Sequence, residues 1–167
     1  YDLESYVKNN HFKWLTGFEF LLFDEIDTES VTQLVEKLAT FKPKLLLIFP
    51  STMNQAAHII REHALPLIYQ PPRINVSGET FFDCQRENIA RVFPTSVIQD
   101  SYGSVELGEI AHEASPGSYE LFSNFVYAEA VPTSEGKTEL IATIHHSTSF
   151  PFIRYRMGDF LDIDDST

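Results

Sequence analysis

The sequence predicts an α/β fold in which a parallel sheet flanked by helices, over about residues 17–112, precedes a small antiparallel sheet or partial barrel, over about residues 117–164. Between residues 17 and 100, apolar segments of strand length alternate with amphipathic segments of helix length. This alternation is typical of parallel sheets, whose consecutive strands are joined by helices. After Gly108 the apolar segments shorten and turn residues separate them, which favours antiparallel strands.

Four apolar segments of the first half are predicted to be strands. They are residues 17–23, 44–49, 73–77 and 96–99. The second segment is apolar at almost every position. We therefore expect it to be covered on both faces, as strands of parallel sheets usually are.

Three helices are predicted between these strands. The first begins at Asp27 or Thr28, and apolar residues spaced i, i+3, i+4 and i+7 from Val31 form its inner face. The second has Ser51 as its N-cap, and the third begins at residues 78–80. The predicted inward-facing residues of the second and third helices are Met53, Ala56, Ala57, Ile60, Ala64, Phe82, Ile89, Ala90 and Phe93.

The second half of the chain is predicted to form short antiparallel strands. Residues 126–131 and 138–145 read as two strands joined by a turn at residues 134–137, Ser-Glu-Gly-Lys. Residues 151–156 and 160–163 are predicted to be two further short strands.

Charge and composition narrow the classes of partner. The chain has 24 acidic and 12 basic residues, a formal charge of −12, which disfavours nucleic acid because phosphate neutralisation needs clustered Lys and Arg. No apolar run approaches the ~20 residues that span a bilayer, so no membrane partner is expected. The single cysteine, Cys84, excludes an internal disulfide, and a reducing cytoplasm is the simplest setting.

Tyr102-Gly103-x-x-Glu106 follows the fourth predicted strand and is the first candidate site. Ligands of open α/β sheets bind at the carboxyl ends of the strands. We expect residues 101–108 to form a tight loop there that presents an aromatic ring and a carboxylate. The alternative is a plain turn in which Gly103 supplies conformational freedom and Glu106 is solvated.

Ser77-Gly78-Glu79 follows the third predicted strand and is the second candidate. Because Gly78 has no Cβ, a planar ring could approach its backbone closely. The strong alternative is an ordinary helix start, with Glu79 in the first turn where the helix dipole favours it.

Arg154-Tyr155-Arg156-Met157-Gly158-Asp159 is the third candidate. Asp159 suits a bidentate hydrogen bond to a ribose diol, and Arg154 or Arg156 suits phosphate groups. The alternative is a hairpin with Gly158-Asp159 at its turn.

In this order, the motifs resemble those of the adenylate-forming (AMP-binding) enzymes, most closely the phenylacetate-CoA ligase and CapK-like branch. The matching segments are Ser77-Gly78-Glu79, Tyr102-Gly103-Ser104-Val105-Glu106 with Gly108-Glu109-Ile110-Ala111, and Pro151-Phe152-Ile153-Arg154-Tyr155-Arg156-Met157-Gly158-Asp159. The last segment is the most specific, and the resemblance covers about residues 40–163.

The resemblance implies an acid–thiol ligase that joins a carboxylic acid to ATP as an acyl-adenylate and then passes the acyl group to a thiol, usually coenzyme A. Glu106 would be the catalytic residue that holds Mg²⁺, Tyr102 would lie against the adenine, and Asp159 would bind the ribose hydroxyls. The implied nucleotide-binding residues are Ser77, Gly78, Glu79, Asp100, Ser101, Tyr102, Gly103, Ser104, Arg154, Arg156 and Asp159.

The resemblance also implies a division into two subdomains. Residues 1–112 would be the α/β nucleotide-binding subdomain of a larger AMP-binding domain, and residues 113–167 an antiparallel β subdomain. Because the chain begins at Tyr1, we expect an internal piece of the N-terminal domain of a longer cytoplasmic enzyme. Its partners would be a nucleotide and a small carboxylic acid, and a homodimer is left open.

The chain departs from the family pattern at several places. The Ser/Thr/Gly-rich phosphate loop and the C-terminal lid with its lysine are not in the sequence, so this piece alone is expected to be inactive or nearly so. Met157 stands where the family usually has Thr. Ala114 and Tyr119 stand where the branch often has metal-binding Cys and His, so no zinc is expected.

Two other functions stay open at this point. One is a non-catalytic module, from a degenerate homologue, that binds a nucleotide or a partner protein. The other is an unrelated α/β binding domain, in which Gly78, Tyr102 and Asp159 would lie far apart.

Overall fold

The computed structural model describes residues 17–145 and 150–162, and this part of the chain forms three helices and eight strands. In chain order they are α1 (Thr28–Phe41), β1 (Leu45–Ile48), α2 (Pro50–Glu62), β2 (Arg73–Ser77), α3 (Asp83–Val92), β3 (Val97–Ser104), β4 (Gly108–Ser115), β5 (Ser118–Leu121), β6 (Val126–Pro132), β7 (Thr138–Ile144) and β8 (Tyr155–Leu161).

The strands form two sheets. The first has the order β1-β2-β3-β4-β5, with β1, β2 and β3 parallel and β4 and β5 antiparallel to their neighbours. The second is the antiparallel sheet β6-β7-β8. The predicted fold class is therefore confirmed. The division of the chain into two subdomains at residue 112 stays a prediction, and the first sheet continues to Leu121.

Helix α1 begins where the sequence predicts. The Asp27 carboxylate accepts the Ser30 N–H at 2.8 Å, and the Ser30 hydroxyl oxygen accepts the Asp27 N–H at 2.9 Å. This reciprocal pair is a capping box, which satisfies two backbone donors that the first helical turn leaves open. The predicted apolar face of α1 is buried: Val31, Leu34, Val35 and Leu38.

All three helices contribute to one core on one face of the first sheet. Met53 of α2 and Ile89 of α3 pack with Ile74 and Val76 of β2, and each of these side chains is fully buried. The predicted inward positions Ala64, Phe82 and Ala90 are wrong, because all three residues are exposed. Two of them lie outside the helices: Ala64 is beyond the end of α2, and Phe82 precedes α3, which begins at Asp83 instead of residues 78–80. Ala90 lies within α3, on a side that does not face the core.

The opposite face of the parallel strands is exposed in the part of the chain that the structure describes. Leu45 and Leu47 of β1 are 44% and 57% exposed, and Val97 of β3 is 57% exposed. The expectation that residues 44–49 are covered on both faces is therefore wrong for the described residues. The helices pack against the side of β1 that carries Leu46 and Ile48.

The strand predicted at residues 17–23 is wrong. This segment forms no ladder with the sheet, and Phe18, Phe20 and Leu22 are more than half exposed. The exposure of its side chains alternates, and Leu21 and Phe23 pack against the core. The segment therefore packs on one side but lacks the backbone pairing that defines a strand.

Two predicted details of the second half also differ. Residues 151–156 and 160–163 are not separate strands, since one strand, β8, runs from Tyr155 to Leu161. Gly158, at φ +84°, lies within this strand instead of separating two. Residue 163 lies outside the described residues, as do residues 1–16 of the predicted first subdomain. The predicted hairpin of β6 and β7 is confirmed.

Residues 101–108, predicted as a loop, form a β-hairpin. Residues through Ser104 continue β3, Gly108 begins β4, and the pairing register shifts between Tyr102 and Gly103. A Cβ at Gly103 would lie 2.3 Å from the Gly108 carbonyl oxygen and 2.9 Å from the Glu109 Cα. Only glycine therefore lets the two strands approach so closely behind Tyr102.

Within the described residues, none of the helices has the length and apolar content needed to cross a membrane.

We expect Gly103→Ala to lower the free energy of unfolding by about 3 kcal/mol, because the added methyl group would meet backbone atoms that cannot rotate away. Gly136→Ala is the control, since Gly136 has a positive φ but open space around it, and we expect a loss of about 1 kcal/mol. Urea denaturation measures both values. Equal losses would show that the close approach at Gly103 is not constraining.

Candidate functional site

The two sheets meet at Tyr102 of β3 and Asp159 of β8. The Tyr102 hydroxyl donates a hydrogen bond of 2.5 Å to Asp159 Oδ2 and lies 3.6 Å from the Met157 sulfur. Burial, followed by this bond to Asp159, raises the pKa of Tyr102 above its ordinary value, so the phenol stays protonated as the donor. The first and third candidate motifs of the sequence therefore lie together.

An apolar cluster supports this contact. Its buried members come from the β3–β4 hairpin and from the second sheet: Leu107, Ile110, Ala111, Val126, Ala142 and Ile144. Tyr102 packs against it from one side, and Tyr155 and Met157 of β8 pack against it from the other. Because side chains alternate along a strand, Asp159 continues the β8 face that carries Tyr155 and Met157.

Glu106 lies at the exposed tip of the hairpin. Polar groups near its carboxylate, first its own backbone N–H and then the Ser104 hydroxyl, hold the pKa of Glu106 below its ordinary value of 4.5. Glu106 is therefore ionised at neutral pH.

The carboxylate of Glu106 is of the ligand type that Mg²⁺ prefers. Mg²⁺ prefers oxygen ligands and is usually bound by one or two carboxylates, with waters and substrate phosphates completing its coordination. No cluster of three or more His, Cys, Asp or Glu residues that could hold a metal occurs within the described ranges. Glu106 could therefore serve as one oxygen ligand of Mg²⁺, with waters and phosphate oxygens as the others.

The end of β2 lies beside the end of β3. Ser77 is the register partner of Ser101, so Gly78 follows β2 at the same edge where Tyr102 extends β3. Gly78 has φ +85°, and a Cβ there would lie 2.8 Å from a ring carbon of Phe49. The planar ring that approaches Gly78 in this structure is therefore that of Phe49.

Glu79 caps helix α2. Its Oε2 accepts the Ser51 N–H at 3.0 Å. The predicted N-cap at Ser51 is wrong because Pro50 is the first helical residue and Phe49 holds the cap position without a side-chain bond. Glu79 lies before α3, so the acidic residue expected at its own helix start stabilises the neighbouring helix instead.

Ser101 is buried, and protein groups engage its hydroxyl. It donates to Glu109 Oε1 at 2.6 Å and accepts from the Asn75 amide at 2.8 Å. The Ser104 hydroxyl oxygen accepts the Leu107 N–H at 3.2 Å and so closes the hairpin turn. Both serines of the motif therefore support the hairpin.

Asp100 is also buried, and the Tyr119 hydroxyl donates to its Oδ2. Burial raises the pKa of Asp100 and that of Tyr119 above their ordinary values. Nearby, Arg86 of α3 pairs with Glu113 of β4 at 2.6 Å. Sequence reasoning missed Arg86, Glu113 and Tyr119, because polar residues at such positions look the same whether they are solvated or buried in pairs.

Arg154 and Arg156 are not brought to Tyr102. They extend from the face of β8 opposite to Tyr155 and Met157, where they line a cleft of about 500 Å³ with Ile141 of β7. Arg154 Nε lies 3.1 Å from Glu129, and Arg156 makes a forked pair with Glu139. Their expected role in phosphate binding stays a prediction.

Comparison with curated proteins finds two relatives. CapK of Staphylococcus aureus is 26% identical over 138 residues, which are 83% of this chain and 30% of CapK. The indoleacetate–lysine synthetase of Pseudomonas savastanoi is 29% identical over 127 residues, which are 74% of this chain and 31% of that protein. No protein-family model matches the chain.

Solved structures match the fold. A 2-hydroxyisobutyryl-CoA ligase in complex with 2-HIB-AMP and CoA superposes with a TM-score of 0.66 at 20% identity, over 78% of this chain and 34% of the ligase. The anthranilate CoA ligase AuaEII in complex with anthranoyl-AMP superposes with a TM-score of 0.60 at 14% identity, over 84% of this chain and 29% of that ligase. These similarities confirm the resemblance that the sequence motifs indicate. The chain spans about 30% of the length of the curated relatives that it matches.

The hydrogen bond between Tyr102 and Asp159 predicts a measurable energetic coupling between the two residues. We expect a double-mutant cycle of Tyr102→Phe and Asp159→Ala to give a coupling free energy of about 1 kcal/mol in unfolding, because each single change removes the same bond. The matched cycle of Tyr127→Phe, at an exposed tyrosine of β6, with Asp159→Ala should be additive. Additivity in both cycles would contradict the contact.

The ion pair between Arg156 and Glu139 predicts that the free energy of unfolding depends on pH. The hydrogen bond from Arg156 lowers the pKa of Glu139 in the folded protein below its ordinary value of 4.5. This pair therefore stabilises the fold above pH 4.5, and its contribution is lost as pH falls through the lower folded-state pKa.

Unfolding free energies of the natural protein and Glu139→Gln, measured between pH 3 and pH 7, test this expectation. The difference between the two proteins should be largest near neutral pH and should shrink below pH 4.5. Glu135→Gln, in the exposed turn between β6 and β7, is the control for loss of a carboxylate. A difference for Glu139→Gln that is constant across this range would contradict the assignment.

Proposed function

We propose that this chain provides the nucleotide-binding wall of an acid–thiol ligase that converts a carboxylic acid and ATP into an acyl-adenylate and pyrophosphate. The observation that carries the proposal is the meeting of Tyr102 and Asp159 at the carboxyl ends of the parallel strands, beside Gly78. Adenylate and CoA complexes of the superposed ligases support the same class of ligand.

Tyr102 and Asp159 would hold the nucleoside. Tyr102 offers a half-buried aromatic ring near the end of β3, and an adenine ring could lie against it. Asp159 is exposed, and its Oδ2 is fixed by the Tyr102 hydroxyl, which orients the carboxylate. An oriented carboxylate of this kind suits the two hydroxyls of a ribose.

Glu106 would hold Mg²⁺, which, when bound, offsets negative charge on the phosphate oxygens. Glu106 is exposed and ionised, so its carboxylate is available as an oxygen ligand. It lies on the β3–β4 hairpin, four residues after Tyr102, so metal and nucleoside would be held by the same hairpin.

We also propose classes for the carboxylic acid and for the acceptor of its acyl group. The superposed ligases are CoA ligases, and one of them carries an aromatic acid, anthranilate, which supports an aryl or phenylacetate-like acid and CoA. One curated relative is named as a synthetase of indoleacetate and lysine, which also makes an amine a candidate acceptor. A screen of the natural polypeptide in full, by carboxylate-dependent ATP–pyrophosphate exchange against aryl and alkyl acids, would identify the acid.

A second candidate function is a module that binds the nucleotide and performs no chemistry. It is favoured by the placement of Arg154 and Arg156, which pair with glutamates on the far face of β8. Both functions use the same nucleoside site, and they differ in turnover. The absence of exchange with every acid, together with AMP binding, would favour the module.

We expect Glu106→Gln to abolish the gain in ATP affinity that Mg²⁺ gives, a loss of at least about tenfold, while AMP affinity changes little. Isothermal titration of this chain with AMP, and with ATP in the presence and absence of Mg²⁺, measures both effects. Glu135→Gln is the matched control, since Glu135 lies in a distant exposed turn. An equal Mg²⁺ effect in Glu106→Gln would contradict the metal role, and no AMP binding by the natural chain would contradict the nucleotide site.

A further inference from the structure

A network of four polar side chains lies behind the candidate site, each from a different element. Its members are Arg86 of α3, Asp100 of β3, Glu113 of β4 and Tyr119 of β5. Asp100 and Glu113 are 6% and 5% exposed, so both carboxylates are withdrawn from water. Burying a carboxylate costs desolvation free energy unless hydrogen bonds and charges compensate it. The partners of these two carboxylates are therefore the important feature of the network.

Glu113 is the centre of the network. The Arg86 Nη2 lies 2.6 Å from both of its oxygens, and Arg86 Nη1 also donates to the Ile98 carbonyl at 3.1 Å. The same carboxylate accepts the backbone N–H of Asp100 at 3.2 Å and that of Gly117 at 2.9 Å. Glu113 thus clamps the backbone of β3 and the β4–β5 turn to helix α3.

Tyr119 extends the clamp to the Asp100 side chain. Its hydroxyl donates to Asp100 Oδ2, so Asp100 is held by both its backbone and its carboxylate. The side chain of Gln99 adds a bond to the Glu113 carbonyl at 2.7 Å. Two consecutive residues of β3 are therefore fixed immediately before Ser101 and Tyr102.

The position of the clamp matters because regular pairing ends just after it. The register of β3 with β4 shifts between Tyr102 and Gly103, and an irregular ladder of this kind re-aims side chains at a strand end. Asp100 and Tyr102 are two residues apart on β3, so their side chains leave the same face of the strand. The network fixes the last regular residues before the aromatic ring that donates to Asp159.

We infer that Arg86, Glu113, Tyr119 and Asp100 are positioning residues that set the orientation of Tyr102 for the nucleoside. The inference rests on the proposed function for its ligand, and it gives Asp100 a role behind the site instead of a contact with nucleotide. Asp100 is buried, and its Oδ2 already accepts the Tyr119 hydroxyl. This suits a supporting role behind the site and leaves little of the carboxylate accessible to a nucleotide.

Tyr119→Phe is the principal test, because it removes one hydroxyl and keeps the ring. In ¹H–¹⁵N spectra without nucleotide, we expect shifted amide signals for Ser101, Tyr102 and Gly103. In AMP titrations of the folded protein, we expect the Kd to rise on the order of fivefold. Tyr127→Phe, at an exposed tyrosine of β6, is the matched control and should change neither readout.

Asp100→Asn and Arg86→Lys complete the set. The asparagine keeps an oxygen that accepts the Tyr119 hydroxyl, so its AMP Kd should stay within about twofold of the natural value, whereas Asp100→Ala should match Tyr119→Phe. Lysine at position 86 keeps the charge but cannot reproduce the planar guanidinium that joins Glu113 through Nη2 and the Ile98 carbonyl through Nη1, and we expect a loss similar to that of Tyr119→Phe. These two variants carry the test if Tyr119→Phe does not fold.

The outcomes separate the two proposals. If the natural chain does not bind AMP, the proposed function fails, and the amide shifts at Ser101–Gly103 still decide the positioning role. If the chain binds AMP and the folded Tyr119→Phe and Arg86→Lys proteins bind it equally well, the inference is overturned. Amide shifts that stop at Asp100 and do not reach Tyr102 would also overturn it.

Discussion

The hydrogen bond between Tyr102 and Asp159 brings the candidate site together, because it joins a residue of the first sheet to a residue of the second. Each partner depends on its own sheet for its direction. Tyr102 stands where β3 leaves its regular register, and Asp159 follows Gly158 on β8. The apolar cluster between hairpin and second sheet excludes water from one side of this contact, which strengthens a bond to a carboxylate.

The fold could be predicted largely because its signals are local. The i, i+3, i+4, i+7 stripe of α1 follows from the helix period, and the β2 bounds follow from a short apolar segment between turn residues. The prediction failed at residues 17–23, where a short apolar segment packs one side against the core but forms no ladder with the sheet. Apolar content reports packing, whereas a strand also requires backbone hydrogen bonds from another part of the chain.

The candidate site was predicted in part for a similar reason. Tyr102 was predicted from the rule that ligands gather at the ends of parallel strands, and Asp159 from the third motif. The structure joins the two residues by a hydrogen bond. The partners of Arg154 and Arg156 depend on which face of β8 each side chain takes, and the start of that strand was misplaced. The pairing of Arg86 with Glu113 joins residues 27 positions apart, and no local pattern announces such a contact.

The capping of α2 by Glu79 has an electrostatic consequence at this edge of the sheet. The amino end of a helix carries a partial positive charge that can stabilise phosphate groups. At α2 a carboxylate already occupies that end, and the first turn of α3 carries the acidic Asp83. In a chain with a formal charge of −12, a triphosphate at these strand ends would draw its neutralisation from bound cations more than from helix dipoles.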